Sequence, residues 1–358
     1  VIELQTDVAL ADWCTLNVGG AAQWFVQARS EDAILDALAW ADARRAPVLV
    51  LGGGSNIVIA DSGFSGVVVQ VGIRGVRAHQ QGARVVFSAG SGEAWDPFVA
   101  QTIRENCAGL ECLSGIPGLV GGTPIQNVGA YGQDVSATIQ TVRVIDRQSR
   151  QARTMSAGEC GFGYRTSRFK HADAGRFIVT EVDFALTLNG PATIGYADVV
   201  KYFADRTPPQ PTLQQVRDAI IEIRSRKGMV IRQGNPANRS CGSFFVNPVV
   251  SRAHFERLGE APHYPAGGER VKVPAAWLIE QAGFTRGYVA GAVGLSPFQA
   301  QGLINRGGAT AADVVGLAIA IKRAVWQRFA VAIVPEPVFV GFDDDPQVAW
   351  LLDPSPPS

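Results

Sequence analysis

The residues best placed to do chemistry in this sequence carry it in their backbone. Gly115 to Gln133 reads GIPGLVGGTPIQNVGAYGQ: six glycines and two prolines, with no charged residue, histidine or cysteine. Glycine admits φ > 0 and lets another group approach the main chain closely, and proline fixes the turns between glycines. Such a stretch suits a surface of N–H groups moulded around an anion. A second stretch of the same kind is LGGGSN, Leu51 to Asn56, fed directly by the apolar run VLVL. A strand that empties into a glycine-rich turn presents amides to a phosphate. It is not a dinucleotide fingerprint of the usual sort, because Gly52, Gly54 and Ile57 occupy the three positions and the third should be Gly or Ala.

Conventional side-chain chemistry is sparse. Five cysteines (Cys14, Cys107, Cys112, Cys160, Cys241) form no C-x-x-C pair and no ligand spacing with the four histidines, so no metal is expected. Scattered, odd-numbered thiols fit a reducing compartment, which makes the cytoplasm the expected location. The charges balance at 32 basic and 32 acidic residues without a basic run, which argues against nucleic acid. The N-terminus shows no signal peptide and no apolar run reaches a membrane span, so membrane insertion is not expected.

The elements that must position these stretches are legible from periodicity. The 358 residues, 47% of them hydrophobic, call for two or three lobes. Ser30 caps a helix carrying Ile34, Leu35, Leu38 and Ala41, and Val48–Leu51 follows as a buried strand. Strands are expected at Val67–Val71, Ala83–Gly90, Thr141–Asp146 and Phe177–Leu188, with a helix over Glu93–Cys107 whose face is Trp95, Phe98, Val99, Thr102 and Ile103. TPPQP, Thr207 to Pro211, reads as a linker. Thr212 and Gln215 then have capping-box spacing for a helix closed by Gly228. An amphipathic helix covers AADVVGLAIAIKRAVWQRF, and Val331–Phe342 reads as a returning strand. The domain expectation is therefore 1–66 with 331–342 returning to it, 67–211, 212–330, and a tail over 343–358.

Taken in order, LGGGSNIVI, the Gly115–Gln133 stretch, CGFGYRTSRFKH (Cys160 to His171), GSFFVNPVV (Gly242 to Val250) and VPEPVFVGF (Val334 to Phe342) are far more specific together than apart. With these motifs the chain resembles the UDP-N-acetylenolpyruvoylglucosamine reductase family, flavoenzymes that complete UDP-N-acetylmuramate for peptidoglycan, over about Trp13 to Phe342. The resemblance implies a three-lobed α+β fold, in which two α+β subdomains bind FAD in the non-Rossmann, vanillyl-alcohol-oxidase-like manner and a C-terminal α+β domain binds substrate.

It also implies roles. FAD would be wrapped by Gly52, Gly53, Gly54, Ser55, Asn56 and Ile57, and by Gly115, Ile116, Pro117, Gly118, Gly121, Gly122, Gln126, Asn127, Gly129, Ala130 and Tyr131, with the polar atoms of Gln126 and Asn127 assisting the backbone. The substrate carries a C=C bond conjugated to a carboxylate. Its reduction takes a hydride from flavin N5 at the terminal carbon and a proton at the adjacent one. Negative charge grows on the carboxylate meanwhile. By motif, Arg165 in GYRTS is the arginine that steadies this charge, Glu336 in VPEPVF the acid that shares it, and Ser243 in GSFF the proton donor. Tyr196 matches a tyrosine on a closing loop. Asn247 and Gln299 match sugar-nucleotide contacts, Lys227 and Lys272 could meet phosphate or NADPH, and Tyr164 could line the flavin. NADPH is the reductant the family implies, a UDP-sugar the partner, and a monomer the expected state.

Two departures stand out. Val246 replaces the lysine of the GSFFKNP pattern, which removes one positive contact but not the proton donor. Met229 to Cys241 has no clear register and receives no role; Cys241 reads as a passive small residue. Two other readings compete: an oxidase of related architecture, disfavoured because no histidine sits in a flavin motif for covalent attachment, and a silent binding module, disfavoured because it has no need of a proton donor.

Overall fold

A computed structural model of the chain describes residues 2–204, 210–231 and 238–355. Thr207–Pro209 of the expected linker and residues 232–237 of the unassigned Met229–Cys241 stretch lie outside the described residues. The chain divides into two compact units, the first of Val1–Asp7, Gln23–Gly53 and Ser65–Arg226, the second of Val8–Ala22, Gly54–Phe64 and Lys227–Ser358.

The first unit has two main hydrophobic cores. One lies under a four-stranded sheet ordered Leu4–Ala9, Ala21–Ala28, Phe64–Val71, Val48–Leu51. Against it packs the Glu31–Asp42 helix through Ile34, Ala37, Leu38 and Ala41, and Ser30 Oγ caps that helix by accepting from the Ala33 N–H. The other core belongs to an antiparallel sheet ordered Ala152–Ser156, Ile139–Asp146, Phe177–Leu188, Arg84–Gly90, Val76–Gln81. Phe87 and Phe184 from this sheet pack with Trp95 and Phe98 of the Trp95–Arg104 helix at ring separations of 5.3–6.2 Å. That helix stops short of Cys107. Asn106 takes φ 55°, a left-handed turn that asparagine tolerates, and releases Cys107–Ala108 to pair with the end of Phe177–Leu188.

The Leu213–Arg226 helix, expected to open the last domain, falls in the first unit. Its Val216, Ile220 and Ile223 cluster with Cys112, Tyr131 and Val199 there. The capping box forms as expected: the Gln215 N–H donates to Thr212 Oγ1 at 3.2 Å and the Thr212 N–H to Gln215 Oε1 at 2.8 Å.

The second unit gathers one large core around the Ala311–Phe329 helix. Leu16, Val18 and Val58, from segments expected in the 1–66 subdomain, contribute to it. Asp61 accepts from the Ala311 and Ala312 N–H groups at 2.7 and 3.0 Å, satisfying donors a helix start otherwise leaves orphaned. The returning strand is only Val338–Val340, paired in parallel with Ile57–Ile59. The expected tail contains a helix, Pro346–Leu352, capped by Asp345 and burying Val348 and Leu351. Asp followed by Pro is an N-cap and N1 pair, a start signal the tail reading passed over. Lys322, 1% exposed, donates from Nζ to the Trp350, Leu351 and Asp353 carbonyls at 2.9, 2.9 and 2.6 Å, closing the other end of that helix. All five cysteines are buried and free. Among the described residues no helix is long and apolar enough to cross a membrane and no cluster of His, Cys, Asp or Glu could hold a metal ion.

Candidate active site

In the first unit the Gly115–Gln133 stretch is hung on the turn after Arg84–Gly90. The Val120 N–H donates to the Glu93 carbonyl and the Gly121 N–H to the Ser91 carbonyl, each at 2.9 Å, while the Trp95 N–H donates to the Gly118 carbonyl at 3.1 Å. Its entry is fixed by Asp96, which accepts the Gly115 N–H at 2.6 Å and holds the Arg217 guanidinium in two places, at 2.6 and 2.8 Å. Burial pulls the Asp96 carboxyl upward, but the Arg217 pair and the Gly115 N–H outweigh it, so the group titrates below the ordinary aspartate range.

The glycines do steric work. A Cβ on Gly53 would stand 2.9 Å from the Gly118 Cα, so the two glycine-rich stretches meet backbone to backbone. Gly52 and Gly122, by contrast, have nothing within 4 Å of the place a Cβ would take. Main chain left open in this way suits a flat ring system and a pyrophosphate held by N–H dipoles.

Beyond Gly122 the polar side chains turn inward. Asn127 ends the Thr123–Gln126 helix in the left-handed conformation, φ 45° and ψ 67°, and its own N–H returns to the Thr123 carbonyl. Its amide lies between two loops, Nδ2 donating to the Gly163 carbonyl at 2.9 Å and Oδ1 accepting from the Ser136 N–H at 3.1 Å. Gln126 Oε1 accepts from Lys170 Nζ at 2.9 Å. Gln126 Oε1 and the Asn127 amide thus also tie the protein to itself, as a stretch this rich in glycine needs to hold its shape. Tyr131, at φ 48°, is buried, its ring 5.4 Å from that of Tyr196 in an edge-to-face pair. Tyr196 immediately precedes the Ala197–Phe203 helix. The approach to it is pinned by buried Glu111, whose Oε1 accepts from the Thr193 N–H at 2.8 Å and from Gln133 Nε2 at 2.9 Å.

Arg165 is at the tip of a two-residue turn closed by reciprocal bonds between Gly163 and Thr166 at 3.0 and 3.2 Å. Its φ is 53°, and its guanidinium donates to the Gly129 carbonyl at 2.7 Å. Tyr164, the other residue of the tip, is 57% exposed, with the guanidinium carbon 6.0 Å from its ring centre.

In the second unit the segment that follows Ser243 pairs with the one that contains Glu336. Phe244–Val246 runs antiparallel to Val334–Glu336: the Glu336 N–H donates to the Phe244 carbonyl at 2.8 Å and the Val246 N–H to the Val334 carbonyl at 2.9 Å. Ser243, half-buried, is thus one residue from the carbonyl that receives the Glu336 N–H. Asn56 joins the same seam, accepting from the Val338 N–H at 3.0 Å through its backbone and donating to the Glu336 carbonyl at 3.4 Å through Nδ2. Asn247 Oδ1 accepts from the Ala275 N–H at 2.9 Å, so half of its amide caps the Ala275–Gln281 helix. Gln299 is half-buried, Lys227 is half-buried at the edge of the unit's chain segment, and Lys272 lies in the Arg270–Lys272 strand with Nζ 6.0 Å from the Tyr264 ring centre. Cys241 is buried with its thiol pushed up to about 12 by that burial, which suits a passive packing role.

Sequence reasoning missed the residues that hold these parts. Gln301 receives the Phe244 N–H on its carbonyl at 2.8 Å and donates from Nε2 to the Phe245 carbonyl, fixing the backbone beside Ser243. Asp96, Arg217, Ser167 and Lys170 do the equivalent in the first unit. Ser167 and Lys170 lay inside a recognised motif, whereas the others carry no local signal because their partners are distant in sequence.

Comparison with known proteins bears on both units. An FAD binding domain family matches residues 22–154, and the family described as UDP-N-acetylenolpyruvoylglucosamine reductase, C-terminal domain, matches 235–340. The UDP-N-acetylenolpyruvoylglucosamine reductase of Thermobifida fusca is 45% identical over 350 residues, covering 94% of this chain and 97% of that protein. That of Saccharopolyspora erythraea is 42% identical over 347 residues, covering 93% and 94%. The chain belongs to the UDP-N-acetylenolpyruvoylglucosamine reductase family. The crystal structure of the reductase from Thermus caldophilus shares the fold, with a TM-score of 0.63 at 23% identity over 95% of this chain and 99% of that one. Membership agrees with the resemblance drawn from the motifs, and with the mixed α+β class and FAD-binding architecture expected from it. FAD is the cofactor of the family, and the open space over Gly52 and Gly122 would admit such a group.

Proposed function

We propose that the chain reduces the enolpyruvyl group of UDP-N-acetylglucosamine enolpyruvate to give UDP-N-acetylmuramate, a peptidoglycan precursor, using NADPH and acting in the cytoplasm as a monomer. Bound FAD supplies the hydride chemistry. What the chain itself must do is hold a carboxylate that gains charge, deliver a proton to the neighbouring carbon, and orient the sugar nucleotide. Arg165, a permanent cation able to grip a carboxylate in two places, takes the first task together with Glu336. Ser243 takes the second. A hydroxyl is a weak acid, so it needs a site that fixes it against the carbon it protonates.

The observation that carries this reading is the pairing of Phe244–Val246 with Val334–Glu336. The motif holding Ser243 and the motif holding Glu336, 93 positions apart, pair along one seam clamped by Gln301, with Ser243 just before it. Tyr196, Asn247, Gln299, Lys227 and Lys272 are proposed to contact the UDP-sugar or NADPH, and Tyr164 to face the flavin.

The test is an anaerobic visible-absorption titration in which NADPH bleaches the flavin and the enolpyruvyl UDP-sugar is then added. Recovery of the oxidised spectrum without oxygen is expected. A flavin that stays bleached would assign the electrons to another acceptor. In the same assay Ser243→Ala should bleach at the wild-type rate and recover on the order of a hundredfold more slowly, with Glu336→Gln behaving similarly. Equal slowing of both half-reactions would remove these residues from the proposed roles.

A further inference from the structure

Four ties fasten the Gly163–Lys170 loop to residues 125–129. Ser167 Oγ donates to the Ile125 carbonyl at 2.6 Å, Lys170 Nζ to Gln126 Oε1 at 2.9 Å, Asn127 Nδ2 to the Gly163 carbonyl at 2.9 Å, and Arg165 to the Gly129 carbonyl at 2.7 Å. The loop has reason to need them. Arg165 takes a left-handed conformation at φ 53° in a position that favours glycine or asparagine, so the backbone there is strained. Strain of that kind persists only where the surroundings over-determine it.

Asn127 is the member of the set that cannot be exchanged for a simple donor. It is 5% exposed, itself left-handed, and uses both ends of one amide: Nδ2 reaches the first residue of the arginine turn and Oδ1 reaches Ser136 on the far side. The Gly163 carbonyl it holds lies two residues from Arg165, and Gly163 also closes the turn through both of its bonds to Thr166. We propose that Asn127 is a positioning residue for Arg165, fixing the base of the strained turn so that the guanidinium is held where the growing carboxylate charge needs it. A side chain in the glycine-rich cofactor stretch thereby serves the substrate step. This rests on the role proposed above for Arg165.

A double-mutant cycle on the full chain tests it, with Asn127→Ala, Arg165→Ala and both together, each loaded with FAD. Asn127→Ala should keep its flavin and be reduced by NADPH within about twofold of wild type, while reoxidation by the enolpyruvyl UDP-sugar slows roughly ten- to a hundredfold. The double variant should be no slower than Arg165→Ala alone, because an arginine that is absent cannot be misplaced. Multiplying losses, or equal slowing of both half-reactions, would overturn the inference; the second result is what a direct flavin contact by Asn127 would give. Arg165→Ala that reoxidises at the wild-type rate would overturn the parent reading and this one with it, whereas a slow Arg165→Ala beside multiplying losses overturns this inference alone. Should Asn127→Ala fail to fold, Ser167→Ala removes a neighbouring tie of the same clasp. It should show a smaller, equally non-multiplying loss, and multiplication there would overturn the inference as well.

Discussion

Asp96→Ala should destabilise the first unit by about 3 kcal/mol, and the structure says where that figure arises. Three bonds disappear: the Gly115 N–H loses its acceptor at 2.6 Å, and Arg217 loses two contacts at 2.6 and 2.8 Å. The Arg217 side chain is only 15% exposed and that of Asp96 32%, so water replaces them incompletely. A charge-assisted bond of this kind contributes about 1.5–3 kcal/mol, and bonds that share one carboxylate do not add in full. In a unit of about 200 residues each kcal/mol corresponds to roughly 2–4 °C, so the transition should fall by about 6–12 °C. Asp96→Asn keeps an acceptor for Gly115 and loses the charge, and should cost about half as much.

The charge also dictates a pH signature. The folded carboxyl titrates below its unfolded value because Arg217 and the Gly115 N–H outweigh burial. Its contribution is therefore fully present above the unfolded pKa near 3.9 and is lost as pH falls through the lower folded value. Urea unfolding of the wild type and of Asp96→Asn should differ by a constant amount between about pH 5 and 8, and the gap should close below about pH 4. Running the series with and without saturating FAD separates intrinsic stability from ligand linkage. A gap that persists unchanged to about pH 3, or a loss under about 1 kcal/mol for the alanine variant, would refute the assignment of the Gly115 anchor to an ion pair.

The glycine surface predicts a contrast. Gly52→Ala meets nothing within 4 Å, so its melting temperature should hold while FAD affinity falls roughly tenfold, whereas Gly53→Ala collides with the Gly118 Cα and should lose both stability and affinity; equal behaviour of the two would show that the surface is not where the cofactor lies. Lys322→Met leaves three carbonyls without their donor and should cost about 2–4 kcal/mol. Limited proteolysis should then cut within Pro346–Leu352 well before the core, and a wild-type digestion pattern would show that the apolar contacts of Val348 and Leu351 suffice.

What was legible in the sequence was whatever is encoded locally. The Ser30 cap, the Thr212–Gln215 capping box and the apolar faces of the Glu31–Asp42 and Ala311–Phe329 helices came from neighbours a few residues apart. The glycine-rich stretches were legible as backbone surfaces for the same reason. What was not legible depends on partners far along the chain. Nothing local says that Leu213–Arg226 packs with Cys112 and Tyr131 instead of beginning a new domain, or that Asp96 will meet Arg217 across 121 positions. Asn127 is the instructive case. In a loop expected to bind through its main chain, the family resemblance gives Asn127 to the cofactor. Yet a main chain freed by glycine cannot hold its own shape, and the few polar side chains available are the ones the fold needs for that purpose. A polar residue in a glycine-rich loop should therefore be tested first as a tie between segments, with its two amide ends accounted for, before it is assigned to the ligand.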